Sequence, residues 1–232
     1  MQLFYEPNAF GEQFNLNIEE SRHCIKVLRK KEGDIITAID GKGNFISSKI
    51  LDANPKKCEL QVLEITQEPS RDFYIHIAIA PTKSIDRIEW FVEKAAEIGV
   101  DEISFITCQN SERRQIKMDR IEKKAISAIK QSIKATLPKL NELQSFRDFI
   151  SAKNDSDKFI AFVDLENPNH LAHTVKKSSN CLIFIGPEGD FTSDEVELAL
   201  SKGFQKISLG QSRLRTETAG ISACCILNTI NS

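Results

Sequence analysis

The chain has no apolar run long enough to span a bilayer, and its first ten residues, MQLFYEPNAF, lack the basic flank and apolar stretch of a secretory leader. Both absences lead to the expectation of a cytoplasmic protein with no membrane partner. No CxxC pair occurs among the six cysteines (24, 58, 108, 181, 224 and 225), and the four histidines do not cluster with them. Buried free thiols in a reducing compartment are therefore expected instead of zinc or disulfide scaffolding, and no metal. The phosphate-cradling GxxxxGK[ST], the dinucleotide GxGxxG, the metalloprotease HExxH and the hydrolase GxSxG are all missing. Excess positive charge is missing too. A formal net charge of -2 excludes a bulk polycation and leaves a local patch as the route to any nucleic acid.

What is present is an ordinary globular composition, 41% hydrophobic and 28% charged, in 232 residues, enough for a small domain and a medium one. Residues 1–70 carry short β-rich runs (35–40, 44–50 and 58–65) separated by turn signals such as Gly41-Lys42-Gly43 and Asn54-Pro55. They read as a small β-barrel or open sheet with one helix over 18–28. That helix carries Arg22, His23, Lys26 and Arg29, which form either a solvated face or an RNA-touching edge. Residues 67–72 are the candidate linker. From 71 to 232, strands (73–80, 103–107, 159–164, 181–185, 206–209) alternate with helices, which predicts an α/β domain with a mostly parallel sheet. A helix over 86–98 places Ile88, Phe91, Val92 and Ala95 on one face and stops at Gly99.

Charge is uneven inside this second domain. Between 113 and 139 there are nine basic residues and two acidic ones. At helical spacing, Arg120, Lys123, Lys124, Lys130 and Lys134 share one face, and Ile121, Ala125, Ala128, Ile129 and Ile133 share the opposite one. A basic stripe of this kind suits phosphates, with a merely solvated face as the alternative. No aromatics interleave, so stacking on open single strands is not favoured.

The most informative stretch is near the end. An apolar strand, 181–185, enters the turn Gly186-Pro187-Glu188-Gly189, and Thr192 to Glu195 then has capping-box spacing for a helix. A second short strand, 206–209, is followed by a loop over 210–215 and a small-residue helix over 217–227. Two strand ends, each opening into a glycine turn, offer main-chain N–H and C=O groups for a ligand. Arg213, Arg215, Glu217 and Thr218 crowd the second loop, where an Arg–Glu structural pair is one reading and a reactive site the other.

The pairing of Ile185-Gly186-Pro187-Glu188-Gly189 with Leu209-Gly210-x-x-Arg213-Leu214-Arg215-Thr216-Glu217-Thr218-Ala219 resembles the RsmE family. Supporting matches run along nearly the whole chain: residues 23–29 (HCIKVLR), Gly33-Asp34, Asp40-Gly41-x-Gly43, Lys94-Ala95-x-Glu97-x-Gly99-Val100, Ser111-Glu112-Arg113 and Gln131-Ser132. The family comprises SPOUT-class enzymes that methylate N3 of a uridine in 16S ribosomal RNA. The resemblance implies a PUA-like β-barrel over 1–70 for RNA and a SPOUT methyltransferase domain with a trefoil knot over 71–232, paired as a homodimer. It implies S-adenosylmethionine held by Gly186, Pro187, Glu188, Gly189, Leu209, Gly210, Arg213 and Leu214, with the strand end near Val163-Asp164 as a third wall. For RNA contacts it points to Arg22, His23, Lys26, Arg29, Lys83, Arg113, Arg114, Lys123 and Lys130 on the small ribosomal subunit.

Three departures from the family pattern stand out: Asp190 where a second glycine follows GPEG, Arg114 where serine is usual, and Lys130 and Lys134 where Glu and Arg are expected. Aspartate tolerates a left-handed backbone better than most residues, so the turn is expected to survive. In the chemistry this implies, Arg215 or Arg213 stabilises the charge developing on uracil, and Glu217 either takes the N3 proton or orients the arginine. Two other functions stay open on the sequence: a non-catalytic RNA-binding assembly factor, and a SPOUT methyltransferase acting on another RNA.

Overall fold

A computed structural model of the chain describes residues 1–151, 156–163 and 169–232. The chain divides into two compact units, one of residues 1–70 with 126–137, the other of residues 71–125 with 138–232.

The first unit is a five-stranded sheet. Strands β1 (Leu3–Tyr5), β2 (Gln13–Asn15), β3 (Ile35–Ile39), β4 (Asn44–Asp52) and β5 (Glu59–Gln67) pair in the order β1-β3-β4-β5-β2. All pairs are antiparallel except β1 with β3. The β3–β4 turn is built around Asp40, whose carboxylate accepts the N–H groups of Lys42 (2.7 Å) and Asn44 (3.1 Å). Gly41 and Gly43 supply the positive φ that turn requires, at 78° and 97°. Phe4, Phe14, Leu16, Ile36, Ile46, Ile50 and Leu60 fill the core together with Cys24 and Cys58. The helix expected over 18–28 is α1 (Ile18–Arg22), capped by Asn17 and continued by a π-helical turn, His23–Val27. That turn closes with Leu28 N–H donating to His23 O at 3.0 Å, and Arg29, at φ 56°, ends it.

The second unit is a six-stranded parallel sheet. Its elements are β6 (Ile75–Ile79), α2 (Ile85–Ile98), β7 (Glu102–Thr107), the first half of α3 (Met118–Gln131, whose residues from 126 onward belong to the first unit), β8 (Lys139–Ser145), α4 (Phe146–Ser151), β9 (Asp157–Ala161), α5 (Leu171–Thr174), β10 (Cys181–Ile185), α6 (Ser193–Ser201), β11 (Gln205–Ile207) and α7 (Thr216–Asn231). The strand order is β11-β9-β10-β6-β7-β8, with every pair parallel. The central strands β6 and β10 are buried at every position, as strands covered on both faces must be; β10 is a continuous apolar run, and β6 is interrupted by His76. On one face Phe146, Phe184, Phe191 and Phe204 form an aromatic core, with Phe184 and Phe204 stacked at 4.4 Å. Elsewhere α7 packs on α2 and β6 so closely that a Cβ added to Gly220 would lie 2.5 Å from the Phe91 ring.

Two sequence expectations fail around α3. Ile121, Ala125, Ala128 and Ile129 are buried as the periodicity requires, but the helix stops at Gln131. Ile133 sits at φ 57° and is 47% exposed, so it is not on the buried face, and Lys134 lies beyond the helix. Five of the six free cysteines are buried, and Cys225 is exposed. Among the described residues no helix is long and apolar enough to cross a membrane, and no group of three or more metal-ligating side chains could hold a metal ion.

Candidate functional site

Parallel strands end together, so their following loops crowd one edge of the sheet. At the carboxyl ends of β9, β10 and β11 those loops enclose a cavity of ≈ 260 Å³. Three stretches wall it: residues 161–163, residues 185–188 with Asp190, and residues 207–216, with Ala219 from α7. The two glycine loops singled out in the sequence thus face one space. Thr216 Oγ1 donates to Gly186 O at 3.0 Å, tying the start of α7 to the first loop. Arg213 reaches the same loop, Nη2 donating to Glu188 O at 3.4 Å. Val163 belongs to the wall, whereas Asp164 lies outside the described residues.

The first loop is a tight turn. Its left-handed residue is Asp190, at φ 59°, so the aspartate that departs from the family pattern takes the conformation expected of it. Its Oδ1 accepts the Phe191 N–H at 2.8 Å. Burial raises the Asp190 pKa, against the hydrogen bonds from the Phe191 and Val163 main chain and the charge of Arg213, which lower it. Gly186 is needed for space, since an added Cβ would meet the Phe191 ring at 3.0 Å. In the second loop Gly210 has φ 130°, a conformation side chains rarely adopt. The capping box is present: Thr192 and Glu195 bond each other's main chain at the start of α6.

Glu188 has a double role in the turn. Its Oε1 accepts the Lys83 N–H at 2.9 Å, while Oε2 is buried without a hydrogen-bond partner among the described residues. The loop after β6 is tied in further by Arg113, which donates to the carbonyls of Thr82 (2.9 Å) and Lys83. Lys83 Nζ pairs with Glu112 at 2.9 Å. Asn110 Nδ2 donates to Gly189 O at 3.0 Å and Asp190 O at 3.1 Å.

Gly186, Pro187, Glu188, Leu209, Gly210, Arg213, Leu214 and Arg215 all line the cavity, and Gly189 does not. Glu217 does not line it either. It is 7% exposed, its Oε1 lies 3.8 Å from Arg87 Nε on α2, and its Oε2 has no partner among the described residues. Arg213 and Arg215 are exposed. Sequence reasoning missed Arg87, because a pairing across 130 positions leaves no local signal. Among the cationic candidates, Arg22, Lys26, Arg29, Lys83, Arg114 and Lys123 are exposed and His23 is half-buried. Arg113 is turned onto carbonyls, and Lys130 forms an ion pair with the buried Glu20. Arg120, whose side chain stays half exposed, pairs with the buried Glu89 at 2.6 Å.

Known proteins resemble this chain in sequence and fold. A family model for an RNA methyltransferase domain matches residues 69–228, and one for an RNA methyltransferase PUA domain matches residues 16–63. The ribosomal RNA small subunit methyltransferase E of Mesomycoplasma hyopneumoniae (strain 232) is 31% identical over 221 residues, covering 92% of this chain and 93% of its own. A crystal structure of a probable rRNA-methyltransferase from Porphyromonas gingivalis is 42% identical with a TM-score of 0.91, over 100% of this chain and 98% of that one. The ribosomal RNA small subunit methyltransferase E of Neisseria gonorrhoeae, solved bound to S-adenosyl methionine, is 26% identical with a TM-score of 0.88 over the same shares. The chain belongs to the RNA methyltransferase family whose members join a PUA domain to a methyltransferase domain, among them the ribosomal RNA small subunit methyltransferases E.

Proposed function

We propose that this protein methylates N3 of a uridine in 16S ribosomal RNA of the small subunit, using S-adenosylmethionine. The observation that carries the reading is the cavity at the carboxyl ends of β9, β10 and β11, walled by both glycine loops. The residues present fit that cofactor. Main-chain groups of residues 186–188 and 209–214 offer donors and acceptors, and the buried, unpartnered Oε2 of Glu188 awaits a hydroxyl or amine hydrogen. When bound, the cofactor supplies a methyl group already made electrophilic by its sulfonium centre.

The protein's own work is to align the acceptor and to favour loss of its proton. Uracil N3 is protonated at neutral pH and engaged in pairing within a helix, so the base must be unpaired or turned out to react. Arg215, on the cavity wall at the N-cap of α7, donates to a uracil carbonyl and stabilises the charge that develops. Arg213, held against the Glu188 carbonyl, lines the same wall. Glu217 faces Arg87 instead of the cavity, which favours a positioning role at the first turn of α7 over proton acceptance. Exposed Arg22, Lys26, Arg29, Arg114 and Lys123 supply the phosphate contacts, whereas Arg113 and Lys130 are engaged within their own units.

The resemblance further leads us to infer a knotted path and a homodimer working in the cytoplasm. The return of the chain from edge strand β11 to α7, which packs on β6 and touches β10, supports the knot. Ala223, Cys224 and Leu227 are fully buried within the single chain, so a dimer must use other residues, and light scattering measures it. The deciding experiment is nucleoside mass spectrometry of ribosomal RNA from cells lacking the gene. Loss of 3-methyluridine is expected. Its retention with loss of a ribose methyl mark assigns another target, and calorimetry without S-adenosylmethionine binding assigns a scaffold.

A further inference from the structure

None of residues 108–113, the loop after β7, lines the cavity, yet this loop grips the turn that does. Both hydrogens of the Asn110 amide are used on consecutive carbonyls of that turn, those of Gly189 and Asp190. The side chain of Asn110 also packs against the turn, since a Cβ added to Gly189 would lie 3.0 Å from Asn110 Cβ. Gly189 is therefore small because Asn110 is there, not because its backbone is left-handed. Gln109 N–H donates to Glu195 Oε1 at 2.8 Å, so the same loop holds the start of the helix that follows the turn. Two carbonyls beside a left-handed residue have no strand partner to accept from, and Asn110 supplies the donors.

We propose that Asn110 is a positioning residue for S-adenosylmethionine binding, acting through the 186–190 turn without touching the ligand. This rests on the reading that the cavity holds that cofactor. Removing the two donors leaves Asp190 free to leave its left-handed conformation, and Pro187 and Glu188 then lose their place in the wall. The variant Asn110→Asp keeps the volume and abolishes both donations, and Asn110→Ala removes the contact altogether. Calorimetry with S-adenosylmethionine, ligand-free melting and steady-state methylation would be measured on the full-length protein.

The expected result is affinity about tenfold weaker in both variants, the worth of roughly one net hydrogen bond. Turnover at saturating cofactor stays within about twofold, and ligand-free melting moves by only a few degrees. Wild-type affinity in both variants overturns the proposal. So does a fall in turnover with unchanged affinity, which would place Asn110 in the chemistry or on the RNA. If the wild-type protein itself binds no S-adenosylmethionine, the functional reading falls and takes this proposal with it.

Discussion

Replacing Gly220 by alanine asks whether the closeness of α7 and α2 sets the geometry of the cavity. The added methyl would lie 2.5 Å and 2.9 Å from two carbons of the Phe91 ring and 3.2 Å from Ile79 Cδ1. Ordinary contact is nearer 3.5–4.0 Å, so α7 or the ring must move by about 1 Å. Phe91 and Ile79 are fully buried, and the ring has nowhere to go. Overpacking of this kind costs about 1–3 kcal/mol, here toward the upper end. Against it stands about 1 kcal/mol gained by alanine over glycine in a helix interior. The clash wins by about 2 kcal/mol, or a melting temperature lowered by about 4–8 °C for a chain of this size. One turn earlier, Thr216 holds the Gly186 carbonyl, so a retreating helix also loosens the first loop and weakens cofactor binding. Thermal melting and calorimetry of Gly220→Ala, alone and with Phe91→Leu, provide the check. The double variant should recover binding. A single variant as stable as wild type would show that helix propensity outweighs the clash and refute the reasoning.

Arg215→Ala should lower turnover by about a hundredfold with little change in cofactor affinity, the cost of losing one donor to a developing charge, as single-turnover methylation would show. Glu217→Gln should keep most of the turnover, because the carboxylate faces Arg87, and a pH–rate profile unchanged in shape would support positioning over proton transfer. Asp190→Gly should stay within about 1 kcal/mol of wild type in urea unfolding, and Asp190→Val should lose about 1–2 kcal/mol more, since a β-branched residue resists a φ of 59°. His76 tests a buried titration. Burial lowers its pKa to about 4, with nearby Glu102 opposing and Lys139 assisting, so the unfolded chain binds the proton more tightly. Stability is therefore intact above the ordinary histidine pKa of about 6.5 and falls as pH drops toward 4, by about 3 kcal/mol in all. Urea unfolding at pH 7 and 4.5 should show a smaller acid loss in His76→Gln than in wild type; equal losses would count against it.

Much of the fold that frames the cavity was legible because its parts announce themselves locally. The buried run Cys181–Ile185, the Thr192 cap and the apolar strands β6 and β7 each carry their own signal within a few residues. Strand β8, KLNELQS, was missed because an edge strand of half-buried and exposed positions has neither a continuous apolar run nor a clean alternation. The three-residue strands β1 and β2 are too short to show a period. Helical spacing placed Ile133 on a buried face only because it assumed the helix continued, and nothing before Ser132 signals the stop. The inward turn of Arg113 and the Arg87–Glu217 pair were beyond reach for another reason. A cation's partner is fixed by tertiary approach, and the composition of a basic segment does not say which of its charges are already spent.

The walls of the cavity lie between positions 161 and 219, and the helix that straps them is the last element of the chain. During synthesis, then, the methyl donor can lend no help to the early stages of folding: most of the polypeptide must be made before there is anywhere for it to dock. A product cut short ahead of α7 would lose Thr216 and Ala219 from the wall, uncover Phe91 and Ile79, and have no competence to capture the donor.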